Sequence, residues 1–358
     1  MRRLAALLAA VLSLGAAPEP APVALDALLA DTPAQSLEAY RLFTDPGGRA
    51  PNAGLTPYVL NTPLFSDHSE KSRFLFLPPG TQVTYAATGA FAFPVGATLV
   101  KTFAYPADLR KPGDRVRFIE TRLLIHKPQG WVALTYVWNP EQTQAVLKRA
   151  GARLPVSVID HAGKPLTIDY AVPNTNQCKE CHSLSGELAP IGPKARNLNG
   201  ELTYGSRREN QLTHWTRTGL LAGAPTPREA PRTAVWNDAS EPLADRARAY
   251  LDANCGHCHN PEGMASNSGL FLHLEETDPA KLGVRRRPVA AGRGSGGFEF
   301  DIDPGRPETS ILLHRMKSRE PGVMMPELGR SLVDEDGVAL IADYLRSLPA
   351  SHNVSKGN

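Results

Sequence analysis

Apolar residues in this chain change their spacing near residue 173. Between residues 64 and 172 they gather in short runs separated by turn sequences such as Pro78-Pro79-Gly80 and Pro128-Gln129-Gly130. The runs cover residues 74–77, 82–85, 98–105, 116–126 and 131–138. Such a series predicts an antiparallel β-rich domain over residues 64–172, folded as a sandwich or a small barrel. We expect one helix over residues 141–149 in addition.

After residue 173 the pattern becomes helical. Val338, Ile341, Tyr344, Leu345 and Leu348 share one face of a helix predicted over residues 334–348. Residues 241–254 form a second amphipathic stretch, and residues 208–218 form a third that stops at a glycine. A proline-rich linker over residues 225–240 separates two mainly helical units, which we place at 173–235 and 236–350. The fold class is therefore multidomain α+β.

The N-terminus has the pattern of an export signal. Arg2 and Arg3 precede an apolar stretch over residues 4–14, followed by small residues at 15–17. The apolar stretch is too short to span a bilayer. We expect a signal peptide over residues 1–22, a periplasmic location, and no membrane span after cleavage. A leader segment with one or two short helices would then occupy residues 23–63.

Composition and charge bring few further constraints. Hydrophobic residues make up 42% of the chain and charged residues 21%, which is ordinary for a globular protein. The formal net charge is only +3, and the longest basic tract is the short run Arg285-Arg286-Arg287. We therefore expect no nucleic-acid partner.

All four cysteines fall into two Cys-x-x-Cys-His units. The units are Cys178, Cys181 and His182, and Cys255, Cys258 and His259. Two disulfides would be the usual expectation for an exported chain with four cysteines, but this spacing favours covalent haem attachment. Two thiols one helical turn apart can add to the two vinyl groups of haem, and the following histidine can ligate the iron. The sequence predicts two covalently bound haem c groups.

The sixth iron ligands are less determined by the motifs. Met325 precedes Pro326 just before the last predicted helix and is our candidate for the second iron, with Met324 as its competitor. The first unit has no methionine before the linker. His214 is the best local candidate there, His68 from the β-rich domain is the second, and an open site is the third. Arg285–Arg287 is either a solvated run or a propionate clamp.

The second unit resembles a class I cytochrome c, with an entry helix, a haem motif, a Met-Pro pair and a closing helix. The loop Ile191-Gly192-Pro193-Lys194-Ala195-Arg196-Asn197-Leu198-Asn199-Gly200 resembles the one that follows the motif in that class. The resemblance implies that a carbonyl near Pro193 accepts a hydrogen bond from His182.

The whole chain resembles a family of bacterial dihaem c-type cytochromes with an N-terminal β-rich domain. The matching stretches include Asn61-Thr62-Pro63-Leu64-Phe65-Ser66-Asp67, Phe93-Pro94-Val95-Gly96, Thr135-Tyr136-Val137-Trp138 and Met325-Pro326-Glu327-Leu328-Gly329. Related modules accompany periplasmic dehydrogenases, so the resemblance implies electron transfer with a dehydrogenase or another cytochrome as redox partner.

Two other functions remain open from the sequence. A dihaem peroxidase would use the first haem as an open iron site, so whether the chain is an enzyme stays undecided. The β-rich domain could instead be a docking module without chemistry, because no catalytic constellation stands out within it.

Replacing Cys178→Ala together with Cys181→Ala should leave one haem per chain, because only the second motif then has its thiols. The pyridine haemochrome assay on the purified protein measures this ratio. Two haems per chain in the variant would contradict the assignment of the first motif.

Overall fold

The computed structural model describes residues 21–289 and 291–350. The predicted signal peptide lies outside the described residues, except for its last two positions. The helices are α1 Leu25–Leu29, α2 Thr175–Cys181, α3 Ala195–Leu198, α4 Gln211–Arg217, α5 Leu243–Asn254, α6 Ile311–Lys317 and α7 Glu335–Ser347. The strands are β1 Leu55–Pro57, β2 Glu70–Phe76, β3 Val83–Thr84, β4 Thr98–Tyr105, β5 Arg117–Lys127, β6 Gly130–Trp138, β7 Ala145–Leu147, β8 Ala152–Ile159, β9 Pro165–Val172, β10 Ser183–Leu184, β11 Glu187–Leu188, β12 Glu201–Tyr204, β13 Arg207–Asn210 and β14 Leu221–Ala222.

A six-stranded antiparallel sheet forms the centre of the N-terminal half. Its strand order is β1-β2-β4-β5-β6-β7, and the β8–β9 hairpin stands apart as a second, two-stranded sheet. The predicted β-rich domain with a large antiparallel sheet is confirmed. Since β1 and β7 are its two edges, the large sheet is open, and it does not close on itself as the predicted small barrel would.

One face of the sheet packs against the segment that precedes it. Leu28 and Tyr40 from this segment are buried against Val100, Leu123 and Tyr136 of the sheet. The hydroxyls of Tyr40 and Tyr136 also share a hydrogen bond of 2.8 Å. The short helices predicted before residue 45 are present as α1 and a 3-10 helix over Leu37–Tyr40.

The opposite face of the sheet is covered at its two ends by separate apolar clusters. At one end, Ile168 and Tyr170 of the β8–β9 hairpin pack on Phe103. At the other end, Trp215 of α4 shares a cluster with Leu75 and Leu99. The zone between these clusters carries polar and charged side chains, and the first cysteine motif follows β9 directly in the chain.

Two predicted elements differ from the structure. The helix expected over residues 141–149 is wrong, because Ala145–Leu147 extends the sheet as β7 beside the end of β6. The helix expected over 208–218 begins only at Gln211, because Arg207–Asn210 pairs with Glu201–Tyr204 as a hairpin. The Asn210 side chain then accepts a hydrogen bond from the Leu212 N–H and caps α4.

The C-terminal helices agree closely with the hydrophobic pattern. The predicted helices over 241–254 and 334–348 are observed as α5 and α7. The two helices approach so closely that a side chain at Gly337 would overlap the ring of Tyr250. Within residues 21–289 and 291–350, no helix has both the length and the apolar character needed to cross a bilayer.

Residues 61–67, here called the tie segment, connect the sheet to the rest of the chain. The Thr62 hydroxyl donates to the Ala234 carbonyl at 2.7 Å, and the Phe65 N–H donates to the Asn254 side chain at 2.8 Å. The carboxylate of Asp67 accepts from the backbone N–H groups of Ser331 and Leu332, each at 2.8 Å. The tie segment therefore contacts both cysteine-containing units.

A buried ion pair joins the two units to each other. Arg196 of α3 and Asp252 of α5 are 2% and 6% exposed, and their closest N–O distance is 2.9 Å. Arg196 also contacts Glu275 at 2.6 Å. Removing one partner of such a pair leaves the other charge buried and uncompensated.

We expect Arg196→Met to lower the free energy of unfolding by about 3–5 kcal/mol. The matched control is Arg208→Met, which breaks the exposed pair with Glu201 and should cost about 0–1 kcal/mol. Denaturant unfolding followed by circular dichroism measures both losses. If both variants lost the same free energy of unfolding, the Arg196–Asp252 pair would contribute no more to stability than an exposed pair.

Candidate functional site

Helix α2 places the thiols of the first motif on one face. The side chain of Asn174 accepts from the Gln177 N–H at 2.9 Å and the Gln177 side chain returns a bond, so a capping box begins the helix. Cys178 and Cys181 are then separated by one helical turn. The His182 N–H donates to the Cys178 carbonyl at 3.0 Å, which continues the turn to the histidine.

The second motif has the same local geometry at the end of α5. Cys255 is the C-cap of the helix, and the His259 N–H donates to the Cys255 carbonyl at 2.9 Å. The chain therefore folds the motif into a helical turn twice, in two unrelated surroundings.

Both histidines are held by a backbone carbonyl. Nδ1 of His182 lies 3.1 Å from the Ala189 oxygen, and Nδ1 of His259 lies 3.1 Å from the Leu270 oxygen. Because a carbonyl only accepts, Nδ1 must carry the hydrogen in both rings, and Nε2 keeps its lone pair. Burial lowers the pKa of each imidazole to about 4, so both rings are neutral.

The acceptor implied for His182 near Pro193 needs a correction. The Pro193 carbonyl accepts the backbone N–H of Phe91 at 3.2 Å instead. The Ala189 carbonyl, earlier in the same loop, accepts the hydrogen bond from His182, because the chain turns back through the short β10–β11 hairpin.

A cavity of about 580 Å³ opens beside the second motif. Its volume lies within the range of pockets that hold small molecules and cofactors. Cys255, Cys258 and His259 lie in its wall together with Met325. Its apolar lining includes Leu270, Leu272, Ile311, Leu312, Met316 and Pro326.

The structure distinguishes the two neighbouring methionines. Met325 lines the cavity, whereas Met324 is only 9% exposed and lies outside the cavity wall. The Met325 N–H donates to the Arg315 carbonyl at 3.0 Å, which fixes this residue relative to α6. Met264 also lines the cavity, but its side chain is largely exposed.

Arg330 holds the loop that carries Met325. Its guanidinium donates to the carbonyl oxygens of Met325 at 2.8 Å and Ser318 at 3.0 Å. Arg330 is buried, and the next two residues of the loop are bound by the carboxylate of Asp67. The sequence singled out the tie segment as a matching stretch but did not indicate that its last residue reaches this loop.

The two motifs meet at their second cysteines. Sγ of Cys181, Sγ of Cys258 and one ring nitrogen of His257 all lie within 4.8 Å of one another. Hydrogen bonding between the thiols lowers the pKa of Cys181 and raises that of Cys258. Three donors fall short of the four protein ligands usual for structural zinc. The contact instead brings the two motifs side by side.

The candidate sixth ligands of the first iron have other contacts. Nδ1 of His214 lies 2.8 Å from the Glu209 carboxylate, and its ring stacks on Tyr204 with centroids 3.4 Å apart. His68 packs edge-on against Phe65 and His161. Among the described residues, none of these contacts reaches the first motif, so a histidine ligand there stays a prediction without structural support.

The three arginines of the run Arg285–Arg287 each bind a different group. Arg285 donates to the Ala350 carbonyl, Arg286 to the Ser268 carbonyl and Arg287 to Glu299. Of the two interpretations of this run, the propionate clamp would need these side chains to converge, and their partners lie in different loops.

Comparison with known proteins gives no family for this chain. A scan against protein-family models, a search of curated proteins and a search of solved structures each returned no match.

The contact between Cys181 and Cys258 can be tested in protein whose four cysteines carry no attached group. A Cys178→Ser, Cys255→Ser variant retains only these two thiols, and we expect mild oxidation to join them as a disulfide. Titration of free thiols and peptide mass analysis measure the product. The control, Cys181→Ser with Cys258→Ser, should keep both thiols free; the opposite result would show that the motifs do not meet here.

Proposed function

We propose that this chain is a periplasmic c-type cytochrome that binds two haem groups covalently and transfers electrons. The observation that carries the proposal is the repeated motif geometry. In each motif the thiols share one helical turn, and the histidine has its Nδ1 hydrogen bonded to a carbonyl and its Nε2 free. That is the donor set and tautomer that haem c attachment requires.

The cavity beside the second motif also fits a haem. Its lining is mainly apolar, it contains both thiols and His259, and Met325 supplies a thioether. The α5 and α7 helices that frame this unit match the entry and closing helices of class I cytochromes c, which supports the resemblance drawn from the sequence. We propose that His259 and Met325 would ligate the iron of the second haem and that His182 would ligate the iron of the first.

Bound haem iron carries one electron by changing between the ferric and ferrous states. The residues of this chain would hold the two groups close together, because Cys181 and Cys258 are in contact. They would also give them different surroundings. All of the second motif's thiols and its histidine line an apolar cavity, whereas the first motif follows the sheet and reaches that cavity only with Glu180 and Cys181. This arrangement favours transfer between the two groups over independent action.

The proposal is tested by potentiometric titration of the purified protein, after its haem content has been measured. Two haems per chain with two separate potentials are expected. A single shared potential would count against directed transfer. Rapid formation of an Fe(IV) species after addition of peroxide to the half-reduced protein would instead favour the dihaem peroxidase alternative. A dehydrogenase or another cytochrome remains the expected redox partner.

Replacing Met325→His should remove the long-wavelength charge-transfer band of methionine-ligated ferric haem and lower the potential of the second haem. An imidazole donates more electron density to Fe(III) than a thioether does. Visible spectroscopy and redox titration measure the two effects.

Met324→Leu is the matched control, because Met324 is buried outside the cavity wall. It should leave both the band and the potential unchanged. Loss of the band in this control and not in Met325→His would transfer the ligand role to Met324.

A further inference from the structure

Four cations lie together on the sheet face that also carries the first motif. Arg73 of β2 pairs in register with Lys101 of β4, and Lys101 pairs with Arg122 of β5. Lys71 lies two residues before Arg73 and so points to the same face. We call Lys71, Arg73, Lys101 and Arg122 the cation row.

The cation row has too few anions among the described residues. Glu120 bonds to Arg122 and accepts the hydroxyl of Tyr170. Asp67 and Asp334 are charged neighbours of Lys71 but form no ion pair with it. Lys71, Arg73 and Lys101 form no ion pair within residues 21–289 and 291–350. Lys71 and Arg73 donate only to nearby backbone carbonyls, at 3.2 and 3.3 Å.

Such an arrangement is costly unless an anion is supplied. Arg73 is only 8% exposed, and Nε of Arg122 is buried without a partner. Burial and the neighbouring cations lower the pKa of Lys71 to about 7 and that of Lys101 well below its usual value. A buried cation that lacks a counter-charge costs several kcal/mol, so the face is built for a negatively charged group.

Successive residues of the first motif lie near successive strands of the cation row. Thr135 and Cys178 line the same small recess, and Arg122 is a charged neighbour of the Cys178 thiol. Lys101, one strand further, is a charged neighbour of His182. Since adjacent strands are about 4.8 Å apart, Arg73 lies about 10 Å beyond Arg122, on the far side of Lys101.

We propose that Arg73 and Lys71 bind the two propionate carboxylates of the first haem. The inference rests on the proposed function, in which Cys178 and Cys181 would hold the haem at its vinyl groups and His182 would ligate its iron. The propionates occupy the edge opposite the vinyl groups. A haem held in this way would direct its propionates away from Cys178, towards Arg73 and Lys71, which have no ion-pair partner among the described residues.

A cation beside the propionates disfavours the additional positive charge of ferric iron. We expect Arg73→Met and Lys71→Met each to lower the potential of the first haem and to leave that of the second unchanged. Arg73→Lys keeps the positive charge, so the potential of the first haem should stay close to that of the wild-type protein. The control is Arg117→Met, because Arg117 is an exposed residue at the start of β5 and its loss should change neither potential.

Potentiometric titration of the full-length holoprotein measures these shifts, after the haem content and the far-ultraviolet circular dichroism of each variant have been checked. Unchanged first potentials in both methionine variants, or equal shifts of both haems, would overturn the inference. A chain that binds no haem would instead overturn the proposed function.

A dissolved dicarboxylate could satisfy the same cations, and succinate is the probe that separates the two sources. If the propionates occupy the row, adding succinate to the wild-type protein leaves the first potential unchanged. A saturable shift that disappears in Arg73→Met would assign the row to a dissolved anion and overturn the proposal.

Discussion

The hydrogen bonds of Asp67 hold the two halves of this protein together. Its buried carboxylate accepts hydrogen bonds from the backbone of Ser331 and Leu332. The residue before them, Arg330, donates to the carbonyl of Met325. Leu64 and Phe65, from the same tie segment, lie beside Cys255 and Met325 in a narrow recess. This contact joins the sheet to the loop that carries Met325 and so to one wall of the cavity.

The two cysteine motifs show how one local structure can be placed in different surroundings. Each histidine is oriented by a carbonyl 3.1 Å away, yet one motif adjoins a charged sheet face and the other an apolar cavity. A low-polarity wall and a row of cations act on a bound charge in different ways. A difference in reduction potential between two bound groups would therefore come from their surroundings more than from the motifs themselves.

The sequence predicted those parts whose periodicity is long or whose spacing is specific. β4, β5, β6, α5 and α7 lie within a few residues of their predicted bounds, because each keeps one regular pattern along its length. The motifs were evident from cysteine spacing alone.

The sequence does not predict features that are decided by strand pairing or by the path of a loop. Residues 141–149 were assigned to a helix although Ala145–Leu147 pairs with β6, and local propensity carries no signal of that pairing. The cation row is spread over three strands, and only the register between them reveals it. Similarly, Ala189 replaced Pro193 as the acceptor because the path of the loop, rather than its composition, decides which carbonyl faces His182.

The contact between Asp67 and Ser331 also bears on the order in which the chain can fold. The two residues are 264 positions apart, so the N-terminal sheet is synthesised long before the backbone groups that its carboxylate binds. Contacts of such large sequence separation form slowly, since most of the chain must be ordered first. The Asp67 end of the tie segment would therefore close later than its contacts with Ala234 and Asn254, and a polypeptide interrupted before residue 331 would lack the groups that this carboxylate binds.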